Sequence, residues 1–176
     1  IIHYNNFINQ FMDNNFKKIN DLSYLEKIAK DLRKDIIEIS FHSKAHHIGS
    51  EFSCIDLISA LYFNIMNIYP LDPYSEDRDW FILSKGHAAL AQYVVLARAG
   101  FFNKSLLKKE FLTNGGLLGG HPDKNSVPGI EISSGSLGHG LSIGAGLALA
   151  LKKDKKNNKV FVLLGDGELN EGMIWE

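Results

Sequence analysis

The 176-residue sequence is short of cysteine, of proline and of charge of either sign in excess, and each shortage removes a class of protein. Cys54 is the single cysteine, so no internal disulfide framework is possible. It lies in the apolar run Cys54-Ile55-Asp56-Leu57-Ile58 and reads as a buried thiol, which points to a reducing, cytoplasmic setting. Nineteen Lys and Arg stand against twenty Asp and Glu, for a formal net charge of -1. That balance argues against a general binder of nucleic acid or anionic membrane, which needs a basic face. The longest apolar stretch, Leu141 to Leu151, is far short of the roughly 20 residues that span a bilayer. Ile1-Ile2-His3-Tyr4-Asn5-Asn6 offers no basic n-region and no small-residue cleavage site, so no secretory signal is read there.

What is present fits one globular α/β domain. Hydrophobic residues make up 45% and charged residues 22%, near the averages of folded proteins. Residues 1–20, rich in Asn and Phe without a clean period, read as a loosely ordered extension, and residues 21–176 as the domain. Ser23-Tyr24-Leu25-Glu26 has capping-box spacing, and Leu25, Ile28, Ala29, Leu32, Ile36 and Ile39 recur at three- and four-residue steps. An amphipathic helix is predicted over about 23–43. A second, well-buried helix is predicted from near Ser53 to about Met66, stopped by Pro70 and Pro73. Asp79 to Ser84 reads as a buried strand. A helix over Ala88 to Ala99 should end at Gly100 in a left-handed cap, with a shorter one over about Ser105 to Leu112.

Thr113 to Ser136, with many glycines and two of the four prolines, is a long connection of the kind that carries function. Leu137 to Lys153 has the length of a helix and closes on lysines, which suit the negative end of its dipole. Its Gly138, Gly140, Gly144 and Gly146 each cost about 1 kcal/mol of helix propensity against Ala, so close packing or ligand approach must offset them. Lys159 to Leu164 is the clearest strand, apolar on both faces. Strands separated by helices predict a doubly wound parallel sheet flanked by helices.

Chemistry-bearing residues cluster beside glycine. Gly165-Asp166-Gly167-Glu168 follows the second strand directly, which places Asp166 in the crevice beyond the carboxyl ends of the strands, where open α/β sheets bind ligands. A carboxylate between glycines can reach a hard cation while a diphosphate approaches the backbone. The same tripeptide also suits a plain turn. His47-Ile48-Gly49, Gly86-His87 and Gly120-His121 each put an imidazole beside glycine at the end of an element, leaving room for a ligand; a solvent-exposed or hydrogen-bonded histidine is the alternative at each. A zinc site from His42, His46 and His47 is disfavoured, since adjacent side chains diverge and no cysteine pair accompanies them. Gly138-His139-Gly140 with Gly144 misses the dinucleotide fingerprint by one residue, and no Walker-type phosphate loop exists.

Taken in order, Ser43 to Gly49, Asp79 to Ala88, Gly120 to Asp123, Pro128 to Gly140 and Gly165 to Gly172 closely resemble the N-terminal part of transketolases, over about Ser23 to Glu176. The resemblance implies transfer of a two-carbon ketol unit between sugar phosphates with thiamine diphosphate as the electron sink. It implies that Asp166 ligates a divalent metal, Mg²⁺ or Ca²⁺, that bridges to the diphosphate, with Gly167 as a backbone contact. His87 then resembles the histidine at the diphosphate. Gly135, Ser136 and Leu137 resemble the segment lining the aminopyrimidine and thiazolium. His47 and His121 resemble the residues that hydrogen-bond substrate hydroxyls and assist proton movement, with His46 an alternative to His47. Glu171 resembles the acid that takes part in carboxylate contacts between the two sites of a dimer. Ile48 and Ser136 stand where the family often has Pro.

The family's metal motif continues past Glu176 to an Asn, and its aminopyrimidine-activating glutamate lies on another domain. The chain, which starts without Met and stops at Trp175-Glu176, is therefore expected to be a truncated diphosphate-side domain, inactive alone. Its partners would be a C-terminal subunit or the remaining domains, in a homo-dimer or hetero-oligomer. Within thiamine chemistry a deoxyxylulose-phosphate-synthase relative is the alternative, suggested by His47-Ile48-Gly49-Ser50. Outside it stand an NAD-dependent dehydrogenase and a non-catalytic homologue.

Overall fold

Asp21 opens the first helix. In the computed structural model, which describes residues 16–176, α1 spans Leu22–Ser43, and the Asp21 carboxylate accepts from the backbone N–H groups of Ser23 and Tyr24 and from the Ser23 hydroxyl. The cap thus lies two residues before the one that the Ser23 to Glu26 spacing predicts. An ionised acceptor at the positive end of the helix outcompetes a serine hydroxyl that it can itself bind. Ile28, Ala29, Leu32, Ile36 and Ile39 are buried along one stripe, as their spacing requires.

Helix α2 spans Ile48–Ala60 and runs on as a π-helical turn over Leu61–Ile65. It starts well before Ser53, with His47 in the N-cap position. The apolar period is legible only from Phe52 onward, so the polar first turn of this helix is hidden in the sequence. Most of the predicted extension, residues 1–15, lies outside the described residues. Residues 16–20 differ from the loose segment expected: the Phe16 ring meets Phe63 at 5.9 Å, Ile19 N–H donates to the Phe63 carbonyl at 2.8 Å, and Asn64 Nδ2 donates to the Ile19 carbonyl.

Strands β1 (Trp80–Leu83) and β2 (Val160–Leu163) pair in parallel, Trp80 opposite Val160 and Leu83 opposite Leu163. Between them run a 3₁₀ turn (Gly86–Ala88), α3 (Ala89–Ala99), α4 (Ser105–Glu110), the long connection, and α5 (His139–Lys153). Alternation along the strands sorts the two faces. Phe81 and Leu83, with Phe161 and Leu163 beside them, join the main core with Ile28, Ile36, Ile55 and Leu90 from α1, α2 and α3. Ile82, Val160 and Val162 turn to the other face, against Gly144 of α5. Helices therefore cover both faces of a parallel sheet, the doubly wound arrangement.

The glycines of α5 are only partly explained by close packing. A Cβ at Gly144 would overlap Val162 Cγ2, and one at Gly140 would overlap the Ser84 side chain. Gly138 is the N-cap with φ of 85°, outside the helix proper, and Gly146 faces open space.

Two charged contacts hold the start of β1. Asp79 is buried, and its carboxylate accepts from Asn67 N–H at 2.8 Å and Lys159 N–H at 2.7 Å, tying the entrances of both strands. Arg78 bonds Glu131 at 2.9 Å with both side chains about 12% exposed, and its guanidinium stacks over Trp80, 3.7 Å from the ring centroid. This pair fastens the Pro128–Ser136 stretch of the long connection to the sheet.

Candidate functional site

The carboxyl ends of both strands open onto one area, and most of the residues singled out in the sequence gather there. After β1 the chain turns at Gly86 and presents His87 on a 3₁₀ turn. His47, at the start of α2, places its ring 5.6 Å from that of His87, edge to face. His121, from the long connection, approaches His47 from another side at 6.2 Å. Three imidazoles from three separate segments thus meet around His47, whereas His46, exposed, makes no such ring contact among the described residues.

His121 is held from two directions. Its carbonyl accepts from the Tyr93 hydroxyl at 3.3 Å, and Gly135 lies against its ring. Gly135 has φ of +147°, and a Cβ there would fall 3.1 Å from His121 Cδ2. Only glycine combines that backbone conformation with that proximity. Ser134 N–H donates to the Pro122 carbonyl at 3.1 Å, closing the loop that carries both residues. Ser136 is exposed and Leu137 half-buried, at the entrance to α5.

Burial pushes the His87 imidazole below its usual pKa, and His47, Lys85 and His121 press the same way while Glu168 opposes them. Each of those groups favours or disfavours positive charge on one ring. The net direction leaves His87 neutral at pH 7, able to accept or donate one hydrogen bond at each nitrogen.

On the β2 side, Gly165-Asp166-Gly167 leads into a 3₁₀ turn over Gly167–Asn170 and a short helix α6, Gly172–Trp175. Past Asp166 the chain thus forms two short turns rather than one continuous helix. The Asp166 carboxylate is exposed and takes no hydrogen bond among the described residues, and a Cβ at Gly167 would meet nothing within 4 Å. An outward carboxylate beside open backbone suits a cation bridging to a bound diphosphate. No group of three His, Cys, Asp or Glu side chains able to hold a metal by itself occurs among the described residues, so a cation here would need ligand oxygens. Glu171 is exposed, with its Cβ close over Gly138.

Glu168 lies inside the Gly165 to Gly172 motif, yet its residue type alone assigns it no role. It is buried, 2% exposed, and receives hydrogen bonds from the Ser84 hydroxyl, from Gly138 N–H at 2.9 Å and from Gly165 N–H at 2.9 Å. The signal for it lies in the 3₁₀ turn, which points residue 168 back under the loop while Asp166 faces out. Lys85 is also buried, its ammonium donating to the Ser50 carbonyl at 2.9 Å and to Ser53 Oγ at 3.0 Å.

Comparison with known proteins matches residues 25–176 to the family described as transketolase, thiamine diphosphate binding domain. The chain is 46% identical over 154 residues to an apulose-4-phosphate transketolase subunit of Phocaeicola vulgatus, covering 86% of this chain and 53% of that protein. It is 38% identical over 152 residues to a 6-deoxy-6-sulfo-D-fructose transketolase subunit of a Clostridium species, covering 86% of this chain and 55% of that protein. Among solved structures, transketolase from Campylobacter jejuni superposes with a TM-score of 0.82 at 28% identity, over 88% of this chain and 25% of the other. The chain spans about half the length of the curated subunits that it matches.

Proposed function

The chain belongs to the family of transketolase thiamine diphosphate binding domains, and from that membership we propose that it supplies the diphosphate-side half of a site that moves a two-carbon ketol unit between sugar phosphates. The observation that carries the reading is the convergence of His47, His87, His121 and Gly135 beside the carboxyl ends of both strands, on a chain whose relatives are named transketolase subunits.

Thiamine diphosphate, when bound, supplies the electron sink for breaking the bond next to a ketose carbonyl. The protein residues bind, orient and move protons. Asp166 would hold Mg²⁺ or Ca²⁺ against the diphosphate, and the backbone at Gly167 leaves space for phosphate oxygens. Neutral His87 would donate to a diphosphate oxygen through one ring nitrogen. Gly135, Ser136 and Leu137 would border the cofactor rings, the absence of a side chain at Gly135 keeping that wall thin. His47 and His121 would hydrogen-bond the hydroxyls of the sugar and take or return the proton of the reacting one. Glu171, exposed over Gly138, would face the neighbouring half-site.

The rest of the site would come from a second subunit or further domains, in an assembly at least dimeric. Trp175 on α6 and Leu149 and Ile143 on α5 are 79%, 68% and 44% accessible, apolar surface that a partner would cover. A buried free thiol at Cys54 supports a reducing, cytoplasmic setting. No helix of the described residues is long and apolar enough to cross a membrane.

Calorimetric titration of the full-length protein with its partner is the test. Thiamine diphosphate should bind tightly only with Mg²⁺ or Ca²⁺, and Asp166→Ala should abolish that metal dependence. Binding of NAD with none of thiamine diphosphate would overturn the reading.

A further inference from the structure

Three loops of the site come from distant parts of the chain, and one side chain touches all three. Ser84 directly follows β1, three residues before His87; Gly138 caps α5, directly after Leu137; Gly165 follows β2, directly before Asp166. Their donors converge on the Glu168 carboxylate. Oε1 accepts from Ser84 Oγ and from Gly138 N–H at 2.9 Å, and Oε2 accepts from Gly165 N–H at 2.9 Å. The carboxylate is 2% exposed, so water does not compete for these bonds. Charge-assisted bonds of this kind are the strong ones among protein hydrogen bonds.

We infer that Glu168 is a positioning residue that fixes the spacing between the His87 turn, the Gly135–Leu137 segment and Asp166 by holding Ser84, Gly138 and Gly165 on one carboxylate. The inference rests on the proposed cofactor reading for its consequence and on the hydrogen bonds for its geometry. With three donors directed at it, the negative charge of Glu168 is satisfied inside the protein. Asp166, two residues earlier and exposed, is left as the outward carboxylate. Two acids of one motif thereby divide two tasks: one faces the ligand, and the other sets where the first one stands.

The geometry separates glutamate from glutamine. A glutamine at position 168 would have one acceptor oxygen and one NH₂ group. In one orientation the NH₂ meets Gly165 N–H; in the other it meets Gly138 N–H. The Ser84 hydroxyl can turn to accept, but a backbone N–H cannot, so either orientation leaves one buried backbone donor unpaired.

The experiment compares Glu168→Gln, Ser84→Ala and Asp79→Asn with wild type in the full-length protein with its partner subunit. Asp79 is the control because it ties the same two strands at their opposite end, through Asn67 and Lys159 N–H. Two quantities are read: hydrogen exchange of peptides covering 135–141 and 163–170 without cofactor, and the dissociation constant for thiamine diphosphate with Mg²⁺ by calorimetry. Glu168→Gln should speed exchange in both peptides and weaken cofactor binding at least tenfold. Ser84→Ala, which deletes one donor and no backbone bond, should weaken it only a few-fold. Asp79→Asn should lower thermal stability without speeding exchange there or weakening binding beyond about twofold. Unchanged exchange in Glu168→Gln would overturn the clasp itself. Equal loss of affinity in Glu168→Gln and Asp79→Asn would reduce Glu168 to a general structural residue. Failure of the wild type to bind thiamine diphosphate would instead overturn the cofactor reading, and the exchange result would still decide the clasp.

Discussion

Replacing Glu51 by glutamine should stabilise the protein at pH 8 and leave it nearly unchanged at pH 4.5. Glu51 lies in the first turn of α2, is 2% exposed, and its Oε2 has no hydrogen-bond partner. Burial raises its pKa from 4.5 to about 7, with no cation offsetting it. The folded state therefore holds a proton that the unfolded chain has released between those two values. Below pH 4.5 both states are protonated and nothing is lost. As pH rises from 4.5 to 7, the unfolded state gains by ionising and the folded state does not, so stability falls. Above pH 7 both are ionised and the loss is constant. At about 1.4 kcal/mol per pH unit, the interval from 4.5 to about 7 gives a loss of about 3 kcal/mol. Glutamine keeps the size of the protonated acid and, having no charge to lose, removes this slope. Urea unfolding of cofactor-free wild type and Glu51→Gln at pH 4.5, 6 and 8 measures it. The variant should gain about 3 kcal/mol at pH 8 and much less at pH 4.5. A variant equally stable to wild type at pH 8, or stabilised equally at every pH, would refute the burial argument.

Gly144→Ala should destabilise by about 1–3 kcal/mol, because the new methyl overlaps Val162 Cγ2 between helix and sheet; Gly146→Ala, facing open space, should instead stabilise by up to about 1 kcal/mol, and paired thermal melts check both. His121→Ala should lower kcat roughly a hundredfold or more while cofactor affinity changes less than about threefold, since its ring lies against Gly135 and His47 and its proposed contact is to substrate. Steady-state kinetics with calorimetry separates the two, and equal loss in both would remove His121 from the substrate side.

Helices and strands with a long apolar period are legible in the sequence. Helix α1 can be read from Ile28 to Ile39 and both strands from their apolar runs, and their observed bounds fall within a residue or two. The first turn of α2 is not legible, because Ile48-Gly49-Ser50-Glu51 has no apolar period, and Glu51 is nonetheless buried. The tight approach of α5 to the sheet can be read from its glycines in general, but which ones make it cannot: Gly140 and Gly144 face the sheet, Gly146 does not. The glycine beside each of the three histidines marks them one by one. Their meeting depends on tertiary packing, with the start of α2 docked on the His87 turn and Tyr93 of α3 holding the His121 carbonyl, and no local pattern encodes that.

Four carboxylates at or near the sheet show how placement decides what an acid does. Asp79 is buried with two backbone N–H donors, and Glu168 with two backbone N–H groups and a hydroxyl. Each holds segments together, because removing the carboxylate would leave buried donors unpaired. Asp166 has neither burial nor donors among the described residues, so its charge remains available to a cation. Glu51 has burial and an unpartnered oxygen, so it carries the desolvation penalty without the bonds that offset it in the other two buried acids. Substituting amide for acid should therefore have opposite effects on stability at pH 8: a loss at Asp79 and Glu168, a gain at Glu51. The sign follows from the number of donors facing each carboxylate rather than from its burial, which is nearly the same for all three.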